Sequence, residues 1–246
     1  MHAGLPAFSS AGTDIKKYEQ AVRNHPGNAK SHLALSRAYR KVGRYQESLS
    51  ELIQALRISP KQEIAARERA VKKSPKSVKA HTALGAAYLG LKEYKKAIRS
   101  LEAALKLKPK NIEARLYLGI TYRKLKQYTK AINEFKTAIK IDPDNTESHY
   151  ILGLSYRLLK RHKESIRELK EVLRIKPKEA EAYYYIGKAY QKLEQYKKAV
   201  APLKKATELR KGFVDAHYAL GIIYRKLGKD KESADEFEKA MLAIAD

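Results

Sequence analysis

The sequence has no cysteine and no tryptophan, and it has only 4 phenylalanines beside 17 tyrosines. Without cysteine there is no disulfide, no thiolate metal site and no cysteine nucleophile, which favours a cytoplasmic setting. No run approaches the ~18 consecutive apolar residues typical of a membrane-spanning helix. Residues 1–13 are too weakly apolar for a signal peptide, and we interpret them as a disordered tail or a leftover of cloning.

Acidic residues are also scarce, with 27 Asp and Glu against 52 Lys and Arg, so the formal net charge is +25. A charge of this size sets up a long-range field that favours acidic or anionic partners. Apolar residues make up 43% of the 246 residues, which is enough to bury a core in one or two domains.

A tyrosine recurs every 34 residues, and a glycine stands three residues before each copy. A small residue follows nine positions after each tyrosine and a large apolar residue thirteen positions after it. The tyrosines are Tyr88, Tyr122, Tyr156, Tyr190 and Tyr224, and the glycines are Gly85, Gly119, Gly153, Gly187 and Gly221. An earlier copy surrounds Tyr39, so the chain contains six copies between residues 29 and 246.

Within each copy the apolar residues follow helical spacing in two runs separated by a short polar turn, which predicts a helical hairpin. The glycines lie where the two helices must approach closely, since a larger side chain would push them apart. A proline ends three of the copies, at Pro109, Pro143 and Pro177. One hairpin cannot bury its apolar face alone, so neighbouring hairpins must stack.

This 34-residue pattern resembles the tetratricopeptide repeat (TPR) family. The resemblance implies an all-α, right-handed superhelical solenoid of antiparallel helix hairpins. Five contiguous repeats are expected in residues 78–246, and the first repeat in residues 14–62 after a single helix near 14–24. The step from Tyr39 to Tyr88 is 15 residues longer than a repeat, which predicts one extra helix near 63–73. We expect segment 63–77 to form a hinge or, alternatively, part of a longer helix that re-phases the stack.

Candidate chemistry is sparse. His32, His81, His149 and His217 share one slot of the repeat, so we interpret them as packing residues rather than metal ligands. No phosphate-binding loop, zinc motif or nucleophile–base pair is evident. The sequence therefore predicts no catalytic residue, no metal and no cofactor, and a protein that is not an enzyme.

The TPR resemblance implies that the first helix of each repeat lines a concave groove. The groove residues implied by slot are Arg37, Arg40, Leu116, Ile120, Arg123, Tyr150, Leu154, Arg157, Tyr184, Lys188, Tyr218, Ile222 and Arg225. Tyrosine and arginine anchor many protein interfaces. The alternative for Tyr150, Tyr184 and Tyr218 is packing against the next repeat.

A chaperone-tail clamp of the TPR type needs lysines and asparagines on these helices. Leu33, Thr82 and Leu116 stand at the lysine slots, which argues against that clamp. We expect instead a protein-interaction scaffold that binds amphipathic or acidic segments of partner proteins.

Much of the positive charge falls on the second helices, which the resemblance places on the convex side. This basic set comprises Lys95, Lys96, Arg99, Lys170, Arg174, Lys197, Lys198 and Lys204. It is either a solvated surface or, as an alternative function, a face that docks on an anionic membrane or nucleic acid. Nucleic acid is the weaker of these because no base-reading module is evident.

The last repeat ends at Ala240–Asp246 without a polar capping helix, which indicates either a truncated chain or an end that joins another copy. We therefore expect a homo-oligomer as one possibility. Residues 195–209 resemble segments of the magnetosome-associated TPR proteins, which implies a self-assembling scaffold on an organelle surface. A designed array is a further alternative, although the irregular segment Lys61–Pro75 argues against it.

Overall fold

The computed structural model describes the backbone of residues 8–245 and the side chains of residues 15–244. This part of the chain is all-helical, with fourteen helices and no strand. They are α1 (Phe8–Asn24), α2 (Ala29–Lys41), α3 (Tyr45–Ile58), α4 (Pro60–Lys73), α5 (Val78–Gly90), α6 (Tyr94–Leu107), α7 (Ile112–Lys124), α8 (Tyr128–Ile141), α9 (Thr146–Leu158), α10 (His162–Ile175), α11 (Ala180–Lys192), α12 (Tyr196–Leu209), α13 (Val214–Lys226) and α14 (Asp230–Ala245).

The chain divides into two compact units, unit 1 up to Asp142 and unit 2 from Pro143. The division falls between the third and fourth repeats. The hinge at segment 63–77 stays a prediction. Helix α1 begins at Phe8 and thus includes residues 8–13 of the expected tail. Residues 1–7 of that tail lie outside the described residues.

The six predicted hairpins are present as α2–α3, α5–α6, α7–α8, α9–α10, α11–α12 and α13–α14. The two helices of each hairpin approach closely at the small residue that stands three positions before the repeat tyrosine. At Gly119, a methyl group would lie 2.5 Å from Cε1 of Phe135 on the partner helix. At Gly187, it would lie 2.5 Å from Cγ of Leu203. Because real side chains do not approach so closely, these hairpins leave no room for a Cβ.

The helix ends are defined locally. Asn111 and Asn145 each cap a first helix, and their side-chain oxygens accept hydrogen bonds from the backbone N–H groups of Ala114 and Ser148. These caps satisfy donors that the helix itself cannot satisfy. The hairpin turn then needs one residue in the left-handed region, which is Gly43 or Gly228 at the outer repeats. Lysine or glutamate takes that conformation in the four repeats between them, at Lys92, Lys126, Lys160 and Glu194.

The extra helix α4 takes the place of a second helix without a first. Only Ser59 separates it from α3, and Pro60 occupies its first turn. The Tyr88 hydroxyl donates a hydrogen bond to Glu68 of α4. Tyr122 makes the same contact with Glu102 of α6, twenty residues earlier (3.5 Å). Helix α4 therefore contacts α5 in the way that the second helix of a repeat contacts the first helix of the next repeat. Of the described helices, no first helix pairs with α4 to complete a hairpin.

The recurring histidines tie first helices to second helices. His149 donates from Nδ1 to Glu168 Oε2 (2.9 Å) and from Nε2 to the Pro143 carbonyl (3.0 Å). His32 and His217 make the same pair of contacts with Glu51 and Glu236, nineteen residues later, and with the carbonyls of Pro26 and Lys211. These side chains therefore act in packing.

Both ring nitrogens of His149 face acceptors, so this arrangement favours the imidazolium form. Burial alone would lower the pKa of His149. The hydrogen bonds to Glu168 and to the Pro143 carbonyl outweigh that effect and raise the pKa above its usual value. Burial raises the pKa of the Glu168 carboxyl, but the bond and charge of His149 outweigh this and lower it.

This pair predicts how stability depends on pH. A raised histidine pKa contributes stability below the unfolded pKa, and this contribution is lost as the pH rises through the folded pKa. We expect the unfolding free energy to fall by roughly 1 kcal/mol between about pH 6 and about pH 9. The His149→Gln variant should show a smaller decrease in urea unfolding followed by circular dichroism. His25→Gln, at an exposed histidine, is the control, and an unchanged slope for His149→Gln would contradict the prediction.

Candidate functional site

In unit 1, the predicted groove residues of the first repeat line a cavity of about 640 Å³, which we call the elbow cavity. Its walls come from α2, α3, α4, α5 and α7. Arg37 and Arg40 of the predicted groove face it. The cavity is also lined by Leu33, Leu52, Glu63, Arg67, Lys73, Lys79, Ala83, Ala86, Glu113 and Tyr117.

Helix α4 brings charged side chains to the elbow cavity, because two of its slots differ from those of an ordinary second helix. Glu63 and Arg67 stand in the slots that Ala97 and Leu101 fill in α6, 34 residues later. They form an ion pair with each other. A first helix therefore has no apolar face of α4 to pack on, which is consistent with its absence.

One carboxyl of the elbow cavity is strongly affected by its surroundings. Arg40 Nε lies 3.8 Å from Glu113 Oε1, and this oxygen is buried without a hydrogen-bond partner. Burial raises the pKa of the Glu113 carboxyl, and the charges of Arg40 and Lys79 only partly oppose the rise.

Leu116 and Ile120 require a correction, because they are 0% and 2% exposed and do not line an open groove. Helix α3 packs against α5, where Leu56 lies beside Gly90, and Tyr45 meets Tyr117 with ring centroids 6.2 Å apart. Tyr117, next to Leu116 in α7, is thus in contact with the first repeat. Arg123 follows at the end of α7 and is half-buried.

In unit 2, predicted and unpredicted aromatic residues form one continuous row. The Tyr150 ring lies 6.2 Å from Tyr185, Tyr185 lies 5.0 Å from Tyr184, and Tyr184 lies 5.0 Å from Phe213, between ring centroids. We call these four residues the aromatic row. Tyr150 and Tyr184 were predicted, whereas Tyr185 and Phe213 were missed. Each of the four also contacts buried residues, so the row serves both as packing and as a partly exposed surface.

A basic cluster borders the aromatic row. The Arg157 guanidinium lies over the Tyr185 ring, 4.9 Å from its centroid. Its Nε is buried and has no hydrogen-bond partner. Burial lowers the pKa of Lys188, and the charges of Lys192 and Arg157 lower it further, while Asp215 opposes them. The basic cluster of Arg157, Lys188 and Lys192 therefore has more positive than negative charge around it, and it has an unused donor.

The remaining predicted groove residues lie along the same helices. Leu154 and Ile222 are half-buried, and Arg225 is exposed, with its guanidinium 5.8 Å from the Phe237 ring. Tyr218 is 57% exposed and lies 5.4 Å from Phe237, between ring centroids. Tyr218 is thus the most accessible of the three predicted groove tyrosines.

Family profiles described as tetratricopeptide repeats match residues 15–63, 64–112, 89–154, 153–194, 180–213 and 214–245. The chain belongs to the tetratricopeptide repeat family. Such repeats are protein-interaction modules, and the TPR chain described here is a non-enzymatic protein-interaction scaffold. The 34-residue pattern of the sequence is thereby confirmed as a family signature.

Solved structures similar to this TPR chain include crystal structures of MamA. One is 27% identical, with a TM-score of 0.63, and the match covers 66% of this chain and 95% of that one. Another, MamA from residue 41 to the end, from Desulfovibrio magneticus RS-1, is 25% identical with a TM-score of 0.64 and covers 68% and 95%. MamA is a magnetosome TPR protein, which agrees with the resemblance of residues 195–209. No curated protein matches the sequence.

The basic set lies on α6, α10 and α12, the second helices of three TPR hairpins, and all eight side chains are exposed. Some have partners on the surface: Lys96 pairs with Glu93 (2.7 Å), and Arg174 pairs with Asp144 and Glu171. Among residues 15–244, no three His, Asp or Glu side chains lie together as a metal site would require. None of the described helices has the length and apolar character needed to cross a membrane.

Proposed function

We propose that unit 2 binds acidic amphipathic segments of partner proteins along the aromatic row. The observation that carries this proposal is the buried, unpaired Nε of Arg157 next to Lys188. A carboxylate of the ligand would accept a hydrogen bond from Arg157 and relieve the repulsion between the two cations. The aromatic faces of Tyr150 and Tyr184 would contact the apolar side of the segment.

Tyr218 and Ile222 extend the same surface along α13 and would contact the next turn of a helical ligand. A helix presents apolar residues at i, i+3, i+4 and i+7, and these fit a row of aromatic rings borne on successive first helices. Because 57% of Tyr218 is exposed, its ring is accessible without any rearrangement of the core.

A synthetic 14-residue amphipathic helix with a leucine stripe and flanking glutamates tests this proposal, together with a twin in which every glutamate is glutamine. We expect the glutamate peptide to bind more tightly in fluorescence polarisation. Arg157→Ala should weaken its binding by about tenfold to a hundredfold, as truncation of a buried interface arginine does. Tyr218→Ala should weaken both peptides.

Arg37→Ala in unit 1 is the matched control, since it removes one exposed arginine and should leave the affinity unchanged. Equal affinity for the two peptides, or full affinity in Arg157→Ala with a native circular dichroism spectrum, would overturn the proposal.

Self-assembly is the next part of the proposal. Met241, Leu242 and Ile244 of α14 are all exposed. An apolar patch of this kind is typical of a surface that another protein covers. The similarity to MamA, whose homologues self-assemble, favours a second copy of this chain as the occupant.

Light scattering after size exclusion should therefore show a mass that rises with protein concentration. Met241→Lys combined with Ile244→Lys should give a constant monomer mass, because the charges cannot be buried in an apolar contact. A double substitution of two exposed lysines to arginine, at Lys226 and Lys229, is the control. A monomer at every concentration of the unsubstituted chain would refute self-assembly.

The second candidate function is docking of the basic set on an anionic membrane surface. The exposure of all eight side chains and the +25 charge favour it. Each basic residue near an anionic bilayer adds to the attraction. Nucleic acid remains the weaker alternative, since no base-reading module accompanies these lysines.

A further inference from the structure

A second cavity, of about 540 Å³, lies between α10, α11 and α12 in unit 2. Its walls are mainly apolar, and three lysines stand around it. We call it the lysine pocket; it is lined by Leu173, Tyr183, Ile186, Tyr190, Ala201, Pro202, Lys170, Lys198 and Lys205.

The lysine pocket exists because the fifth repeat departs from the others at two facing slots. In the fourth and sixth repeats these slots hold the bonded pairs His149–Glu168 and His217–Glu236. The same slots of the fifth repeat hold Tyr183 and Pro202. An aromatic ring and a proline ring thus replace an ion pair, so the wall becomes apolar.

A third slot of the fifth repeat is also less polar than the same slot in other repeats. Ala201 stands where the other full repeats of the 34-residue series carry a longer, polar side chain, at Arg99, Asn133, Arg167 and Asp235. Ala201 is exposed and short, so it leaves the pocket open to solvent. Three slots of the fifth repeat therefore lack the polar groups that other repeats carry there, and all three line the lysine pocket.

A fourth slot, twenty residues before the repeat tyrosine, contributes positive charge to the pocket. In the first three repeats, the repeat tyrosine donates its hydroxyl hydrogen to a glutamate twenty residues earlier. The pairs are Tyr39–Glu19, Tyr88–Glu68 and Tyr122–Glu102. In the last three repeats this slot is lysine, at Lys136, Lys170 and Lys204. Tyr190 and Lys170 thus share the pocket in place of a tyrosine and a carboxylate.

The lysine places a hydroxyl donor and an ammonium group together at a slot where the first three repeats supply a carboxylate. Lys198 adds a second cation on the same rim, and Lys205 a third, which pairs with Glu208 (3.1 Å). An external anion at this point would replace the missing carboxylate. The adjacent apolar walls require that the anion carry an apolar chain.

We propose that the lysine pocket binds one anionic membrane lipid, with its headgroup on Lys170, Lys198 and the Tyr190 hydroxyl and part of an acyl chain against Ile186 and Pro202. A free inorganic anion would leave the apolar walls in water, and an uncharged chain would leave the lysines without a partner. This inference refines the second candidate function, docking on an anionic membrane. It rests on that function only where docking to a bilayer is concerned. The occupancy of the pocket is a separate measurement.

The probe for the pocket is dihexanoyl phosphatidylglycerol below its micelle concentration, titrated by calorimetry. Dihexanoyl phosphatidylcholine and inorganic phosphate are the comparison ligands. We expect the phosphatidylglycerol to bind and the other two to bind at least about tenfold more weakly. An acidic peptide that competes for the pocket while phosphatidylglycerol fails to bind would overturn the lipid assignment.

The decisive variant is Lys170→Glu, which recreates the tyrosine–glutamate pair of the first three repeats and should therefore fold. It should weaken phosphatidylglycerol binding by about tenfold or more, because it reverses one charge at the headgroup and ties up the Tyr190 hydroxyl. Lys136→Glu makes the same change at the same slot outside the pocket, at an exposed lysine, and should bind as the unsubstituted chain does. Equal losses in both variants would show diffuse charge attraction and refute the pocket.

A second variant tests the apolar wall without changing net charge. Tyr183→His with Pro202→Gln places a neutral hydrogen-bonding pair in the slots that hold His and Glu in the fourth and sixth repeats. It should abolish lipid binding while preserving the fold. Retained binding would refute the role of the wall.

Flotation with phosphatidylglycerol-containing vesicles then separates the two proposals. If binding of both the vesicles and the short lipid survives both variants, membrane docking stands and the pocket is overturned. Binding of the short lipid without vesicle binding supports the pocket and refutes docking.

Discussion

The close approach of two helices at one small residue is the contact on which the rest of this structure depends. At Gly187, the backbone of α11 lies so near Leu203 of α12 that no Cβ fits between them. Glycine is unfavourable inside a helix, so its presence there must be offset by the packing it permits. That packing sets the distance between the two helices and hence the position of every side chain they carry.

Both candidate sites of unit 2 use this same hairpin. Tyr184 and Lys188 lie on the side of α11 that carries the aromatic row and the basic cluster. Ile186 and Tyr190 lie on the side that meets α12 at the lysine pocket. In the two proposals, one helix would present a peptide-binding surface on one side and a lipid-binding surface on the other.

The sequence predicted the repeats, the hairpins and the close contacts, because these depend on residues within one 34-residue period. That Arg157, Tyr150 and Tyr218 belong to a binding groove stays a prediction, drawn from the way a slot repeats its position along a regular stack. The groove prediction was wrong for Leu116 and Ile120, which are buried, because the repeat slot alone does not determine whether a side chain is covered. Tyr185 and Phe213 were missed, although Tyr184, the sequence neighbour of Tyr185, was predicted. The slot changes at Tyr183 and Pro202 were visible in the sequence, but only the structure showed that they face each other across a cavity.

The measurement that tests the central claim most directly is the stability of Gly187→Ala in urea unfolding. Helix propensity alone predicts that alanine stabilises α11 by about 1 kcal/mol. The close contact with Leu203 predicts instead a loss of about 1–3 kcal/mol, because the added methyl overpacks the hairpin. Gly212→Ala, where a methyl group meets nothing within 4 Å, provides the comparison. A Gly187→Ala protein as stable as the unsubstituted chain, or more stable, would contradict the account.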